Sequence, residues 1–348
     1  MTAFDQAVSS LPDEFSKILL KLDLSLRERI TELRIHVGRP AVLILNDGQT
    51  AFFDETGQTF PFLKESCFQV SRDLLERCIL NMCDYSLHSV QNELLSGFLT
   101  LKGGHRAGFC GNIAWEKEKI THLRRIDHIN LRIARCIKGS ADPVLRHYRV
   151  HGVGNTLIVG PPASGKTTVL RDLCRALSSG DIDKSRKISL IDERGEIAAC
   201  YEGIPQYDVG WNTDVFDGYT KLTGTQIALR CMSPDIIICD EIGGASDSGV
   251  LNDCANAGVS VIATAHASGV DELLNRTSVR NIIRSGAFDC LVFLNGADRP
   301  GTIREVVNWN EVFRDHSGFS GISDDWTVSF GQAQKKDERV RNMSDFYR

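Results

Sequence analysis

This chain has no apolar run approaching the ~20 residues that a membrane-crossing helix needs. Met1 to Ser10 lack the charged-then-apolar pattern of a secretory leader, so the expected compartment is the cytosol. A positive charge excess is missing too. The formal net charge is −5, and no obvious strip interleaves aromatic with basic residues, so no nucleic-acid partner is expected. No internal repeat or low-complexity segment is present. The 11 cysteines include no C-x-x-C pair; they scatter from Cys67 to Cys290, several in apolar strands (Cys239, Cys290) or helical patterns (Cys174, Cys254). Zinc-ligand and disulfide spacings are both absent, and small buried side chains in a reducing compartment account for these cysteines. At 348 residues the chain has room for two domains, each with its own core.

What is present starts with Gly160, Pro161, Pro162, Ala163, Ser164, Gly165, Lys166 and Thr167, a complete G-x-x-x-x-G-K-[ST] loop, followed by Thr168. An apolar strand (Thr156 to Val159) runs into it, and a helical pattern (Val169, Leu170, Leu173, Leu177) leaves it. That setting gives the motif a mechanism. The glycines let backbone N–H groups close around phosphate oxygens, and the helix N-terminus adds partial positive charge. Lys166 supplies a point charge to the β- and γ-phosphates, and the Thr167 hydroxyl joins a magnesium shell. The expected ligands are ATP and Mg2+.

From Gly154 onward strands alternate with helices, which predicts an α/β fold with a parallel sheet. The predicted strands are 156–159, 187–192, 235–240, 259–264 and 290–294; the helices are 166–178, 223–232, 247–257 and 271–285. Four strands end in polar groups, and open α/β sheets bind ligands at that edge. Residues 1–150 read as a smaller α+β domain, 151–315 as the nucleotide domain, and 316–348 as a polar tail. In the first part a helical opening (Phe15, Ile18, Leu19, Leu22) precedes a strand at 41–45, a helix at 70–82 and a Gly-rich stretch at 96–111. Gly103-Gly104 reads as a hairpin turn, with His105-Arg106 either its polar shoulder or a contact to a ligand or partner. Basic residues gather at Arg124, Arg125, Arg132 and Arg135.

Hydrolysis needs magnesium, an oriented water, and positive charge on the γ-phosphate. The run Asp235 to Glu241 fits a Walker B strand: Asp240 reaches the metal through water, and Glu241 polarises the attacking water. A rival base is Glu193, at the end of Leu190-Ile191-Asp192-Glu193, and spacing does not choose between the two. His266 closes the fourth strand as a γ-phosphate sensor. Arg230, Arg276, Arg280 and Arg284 are candidates for a charge donated between subunits.

With these motifs in place, the chain resembles the stage III sporulation protein AA family, ATPases related to the secretion and pilus-motor branch of RecA-like NTPases. The resemblance spans about residues 25 to 300. It is carried by E-L-R-I-H-V-G-R-P (32–40), G-F-L-T-L-K-G-G-H-R-A-G-F-C-G (97–111), I-N-L-R-I-A-R (129–135), the phosphate-loop stretch 155–173, I-D-E-R-G-E-I-A-A-C (191–200) and M-S-P-D-I-I-I-C-D-E-I-G (232–243). It implies a RecA-like core and a hexameric motor coupling ATP hydrolysis to movement. In secretion ATPases an acidic segment between Walker A and Walker B supplies the catalytic glutamate, which favours Glu193 and leaves Glu241 with Asp240 at the metal. The family also implies a cytosolic position in the mother cell of a spore-former, docked peripherally on the membrane complex joining mother cell and forespore. Gly244 and Asn212 stand where basic residues are expected, so no arginine role is carried to either. Two other readings remain, a RecA-like nucleic-acid motor and an ATP-dependent assembly switch without turnover. Salt-sensitive stimulation by single strands would mark the first, and binding without hydrolysis the second.

Overall fold

The protein is described by a computed structural model covering residues 2–87, 90–116, 119–243, 247–275 and 287–309. It divides into two compact units, Met1–Val306 and Val307–Arg348; of the second, only residues 307–309 are described. Among the described residues no helix is long and apolar enough to cross a membrane.

Short helices open the chain: α1 (Ala3–Val8), started by a reciprocal Thr2–Asp5 capping box, α2 (Asp13–Leu19) and α3 (Leu24–Arg27). Strands β1 (Ile30–His36), β2 (Val42–Leu45), β3 (Thr50–Phe53) and β4 (Thr59–Phe60) follow, then helices α4 (Arg72–Met82) and α5 (Gln91–Leu95). Three further strands complete this part: β5 (Phe98–Thr100), β6 (Arg106–Glu116) and β7 (Lys119–Arg132). All seven strands form one antiparallel sheet in the order β4-β3-β2-β1-β7-β6-β5. Leu33 and Ile35 of β1 are buried with Ile129 and Leu131 of β7 against Phe4, Phe15 and Leu75, while Glu32, Arg34 and His36 alternate onto the other face.

The second sheet reads differently because it is covered on both faces. After α6 (Asp142–His151) come β8 (Thr156–Gly160), α7 (Lys166–Ser179), β9 (Ile188–Asp192), β10 (Thr213–Asp217) and α8 (Lys221–Cys231). β11 (Ile236–Cys239), α9 (Asp247–Ala257), β12 (Ser260–His266), α10 (Val270–Asn275), β13 (Cys290–Leu294) and β14 (Ile303–Asn308) complete it. β8, β9, β11 and β13 are buried at every position, as central parallel strands are. The order is β10-β9-β11-β12-β8-β13-β14, and β8 to β13 pair in parallel. Register sets Gly160 beside His266, and Cys239 beside both Ile191 and Ala263, so the carboxyl ends of four strands meet at one edge.

Five predicted strands coincide with observed ones to within two residues. β10 and β14 extend the sheet beyond them. α8 starts at Lys221, two residues earlier than predicted, because Thr220 caps it by accepting from Thr223 N–H. Arg276, Arg280 and Arg284, Gly244 and the tail from 316 lie outside the described residues.

Candidate functional site

The loop joining β8 to α7 needs two backbone conformations that ordinary residues avoid: Ala163 has φ 59° and Gly165 φ 86°. Glycine is required at 165 for a second reason. A Cβ there would lie 2.2 Å from Gly301 N, in the turn between β13 and β14. That turn is bound to the loop by Gly301 N–H donating to the Ser164 carbonyl (2.8 Å). Ser164 is buried, while Pro162 and Ala163 form the exposed crest beside half-buried Pro161. Thr167 and Thr168 sit half-buried in the first turn of α7.

Lys166 folds back over its own loop. Its Nζ donates to the carbonyls of Gly160 and Pro161, both at 2.9 Å, and stands 2.9 Å from His266 Nδ1. With the ammonium donating, Nδ1 is the acceptor and the ring proton belongs on Nε2. That nitrogen faces Glu241 Oε2 at 3.4 Å. Lys166, His266 and Glu241 thus form a polar chain along the sheet edge. Burial holds the Lys166 ammonium below its usual value, against the opposing pull of Glu241 and Asp240. Asp240 is buried and accepts from the Thr264 hydroxyl at 3.2 Å.

The acids at the end of β9 have different fates. Asp192 is fully buried and accepts the N–H groups of Glu196, Ile197 and Ala198 at 2.8–3.0 Å. It therefore shapes the turn that follows the strand. Burial raises its carboxyl above the usual range, with the three backbone donors opposing. Glu193 instead points into a 270 Å³ cleft shared with Arg194, Lys221, Asp240, Glu241, Gly243 and Asp247. Glu241 also lines a 360 Å³ cleft with Pro161, Pro162 and His266, so it stands between the loop at 160–168 and Glu193.

The structure thus gathers Lys166, Asp240, Glu241, Glu193 and His266 at one edge. Arg230 lies apart on an exposed face, its Nε donating to Gln226 O of its own helix. Two cationic residues were not anticipated. Arg194 Nη1 lies 3.8 Å from Glu241, and Lys221 Nζ donates to Glu193 Oε2 at 2.9 Å. A lysine beside a Thr N-cap carries no motif; the signal was only the cap itself.

Gly103 and Gly104 make the turn before β6, both at positive φ, and the same turn also makes a contact. Gly103 N–H donates to Gln206 Oε1 at 2.7 Å. Arg106 reaches Glu196 at 3.4 Å, in the turn shaped by Asp192. From the other side Arg171 of α7 donates to the carbonyls of Glu196 and Ile197 and stacks on Tyr207. Arg125, Arg132 and Arg135 are engaged by Asp127, Glu32 and the Ile30 carbonyl respectively.

The family described as sporulation stage III, protein AA, matches this chain over residues 4–312. This chain belongs to that family. Stage III sporulation protein AA of Bacillus subtilis (strain 168) is 36% identical over 299 residues, covering 86% of this chain and 93% of the relative. Among solved structures, the ATPase DotB of Legionella pneumophila is similar at TM-score 0.50 and 18% identity, over 87% of this chain and 83% of its own. The pilus retraction motor PilT with bound ADP is similar at TM-score 0.51 and 16% identity, over 80% and 76%. At such identities the likeness is one of fold.

Proposed function

We propose that this member of the sporulation stage III AA family is a Mg2+-dependent ATPase whose nucleotide site is the edge formed by Gly160–Thr168, Asp240, Glu241, Glu193 and His266. The observation that carries the reading is the Lys166 ammonium. It is buried at the mouth of a glycine-shaped loop, bonded to that loop's own carbonyls, with Asp240, Glu241 and Glu193 on the same edge. A triphosphate gives that cation a stronger partner than two carbonyls. The donor set fits Mg2+, which keeps several waters and takes one or two protein oxygens beside phosphate oxygens. Thr167 and Asp240 would hold it, and the ion would neutralise charge on the phosphates.

In this reading Glu193 is the base that orients water, as the family resemblance implies. Glu241 acts with Asp240 at the metal side, and His266 links Glu241 to Lys166. Residues 1–150, 151–315 and 316–348 are taken as N-terminal domain, ATPase domain and tail of a RecA-like motor. The active form is a homo-oligomer, a hexamer by the resemblance. It is cytoplasmic and peripheral on a membrane-bound channel complex between mother cell and forespore.

The test is steady-state ATPase activity against protein concentration with Mg2+, wild type beside Lys166→Ala. The expected result is specific activity that rises with concentration and disappears in the variant. Turnover by Lys166→Ala at the wild-type rate would sink the site assignment. Tight ATP binding without turnover at any concentration would favour the assembly switch.

A further inference from the structure

We propose that Lys221 is a positioning residue: it holds the Glu193 carboxylate in the orientation from which Glu193 meets the attacking water. The inference rests on the ATPase reading above. Lys221 Nζ donates to Glu193 Oε2 at 2.9 Å, and among the described residues Oε1 has no hydrogen-bond partner. One oxygen is thus anchored and the other is left to accept a proton. Without an anchor, a glutamate at a strand end samples several rotamers, and misplacing a reacting group by about 1 Å costs on the order of 10²-fold in rate.

Glu193 is 37% exposed, and the lysine is the more enclosed end of the pair, held by its helix rather than free at the surface. The Lys221 side chain is 19% exposed, whereas Arg194, the other cation of the cleft, is 65% exposed and 3.8 Å from its partner. Lys221 opens α8, and both the segment leading into that helix and its first turn are tied to the end of β9, next to Glu193. Gly218 N–H donates to the Asp192 carbonyl at 3.0 Å, immediately before Glu193. Gly224 packs so closely on Ile191 of β9 that a Cβ would come within 2.9 Å of it. Thr220 caps the helix. Both ends of the ion pair are therefore fastened to the end of β9. Lys221 also faces Asp240, Glu241 and Asp247 across the cleft, so removing it leaves Glu193 facing three carboxylates, with the more exposed Arg194 as the remaining cation of the cleft lining.

The experiment uses the full chain with Lys221→Met, Lys221→Arg, Glu193→Gln and the Lys221→Met/Glu193→Gln double variant. It measures kcat and KM for ATP, and the Kd of a fluorescent ATP analogue. Lys221→Met is expected to lower kcat about 10–100-fold with Kd changed by less than about threefold, and Lys221→Arg to recover most of the loss. The double variant should be no slower than Glu193→Gln alone, because Lys221 acts only through Glu193. Unchanged kcat in Lys221→Met overturns the proposal, as does a multiplicative loss in the double variant. Parallel loss of kcat and affinity would make Lys221 a nucleotide contact instead. Should Lys221→Met melt below wild type, Lys221→Gln with the same double-variant comparison decides. Wild-type turnover that is lost in Lys166→Ala yet kept in Lys221→Met overturns this inference alone. Absence of wild-type turnover at every concentration overturns the ATPase reading and this inference with it.

Discussion

At the scale of single residues, neighbouring acids do different work. Asp192 and Glu193 are adjacent at the end of β9, and the sequence offered Glu193 as a candidate base. One is fully buried under three backbone N–H groups and the other opens to the cleft. The three N–H groups hold the Asp192 carboxylate inside the turn, whereas Glu193, the first residue beyond β9, opens to the cleft. Glu193→Gln is expected to keep ATP affinity while lowering kcat by about 10²-fold or more, the usual weight of a general base. Normal turnover in Glu193→Gln with loss in Glu241→Gln, read in the same kinetic assay, would reverse the two roles. Asp192→Ala should act on stability instead. Leaving three buried N–H groups without an acceptor costs about 3 kcal/mol or more, which chemical unfolding would register.

At the scale of elements, the loop between β8 and α7 depends on a neighbour distant in sequence. Gly165→Ala would combine left-handed strain with a clash on the Gly301 backbone, 2.2 Å away. The expected outcome is an otherwise folded protein, by circular dichroism, whose nucleotide affinity falls at least about tenfold, since one displaced N–H weakens a phosphate contact by ~1.5 kcal/mol. Wild-type affinity would show that the turn at Gly301 does not constrain the loop. The elements missed from the sequence share a cause. β10 (T-D-V-F-D) and β14 (I-R-E-V-V-N) lie at the two edges of their sheet, and their half-buried, charged alternation lacks the apolar run that marks β9 or β11.

At the scale of the whole molecule, one contact network runs between the antiparallel sheet and the turn beside Glu193. Arg106, Glu196, Arg171 and Tyr207 carry it, with His105 buried next to Arg106. His105 accepts from Ala134 N–H at Nδ1, and burial pushes its pKa down to about 4. The folded state therefore keeps it neutral while the unfolded chain protonates near pH 6.5. Its contribution is complete above that pH and is lost as pH falls toward 4, a change of about 3 kcal/mol at ~1.4 kcal/mol per pH unit. His105→Gln retains an acceptor for Ala134 and should flatten the acid limb of stability. Urea unfolding midpoints from pH 7 to pH 4 check this, and parallel curves for the two proteins would refute it.

The glycine-rich loop at 160–168, the five central strands, the family, and the acids and histidine at the strand ends were legible in the chain alone. These are local or periodic signals: a strand running into a Gly-rich turn, an apolar run, a polar stop. Tertiary structure decided which acid is buried and which is open, that Lys166 rests on His266, and that Lys221 reaches Glu193. Those outcomes depend on strand order and register, which bring together residues about 30 to 100 positions apart in the chain. No short-range pattern encodes that distance, because the register is set by packing across the whole sheet.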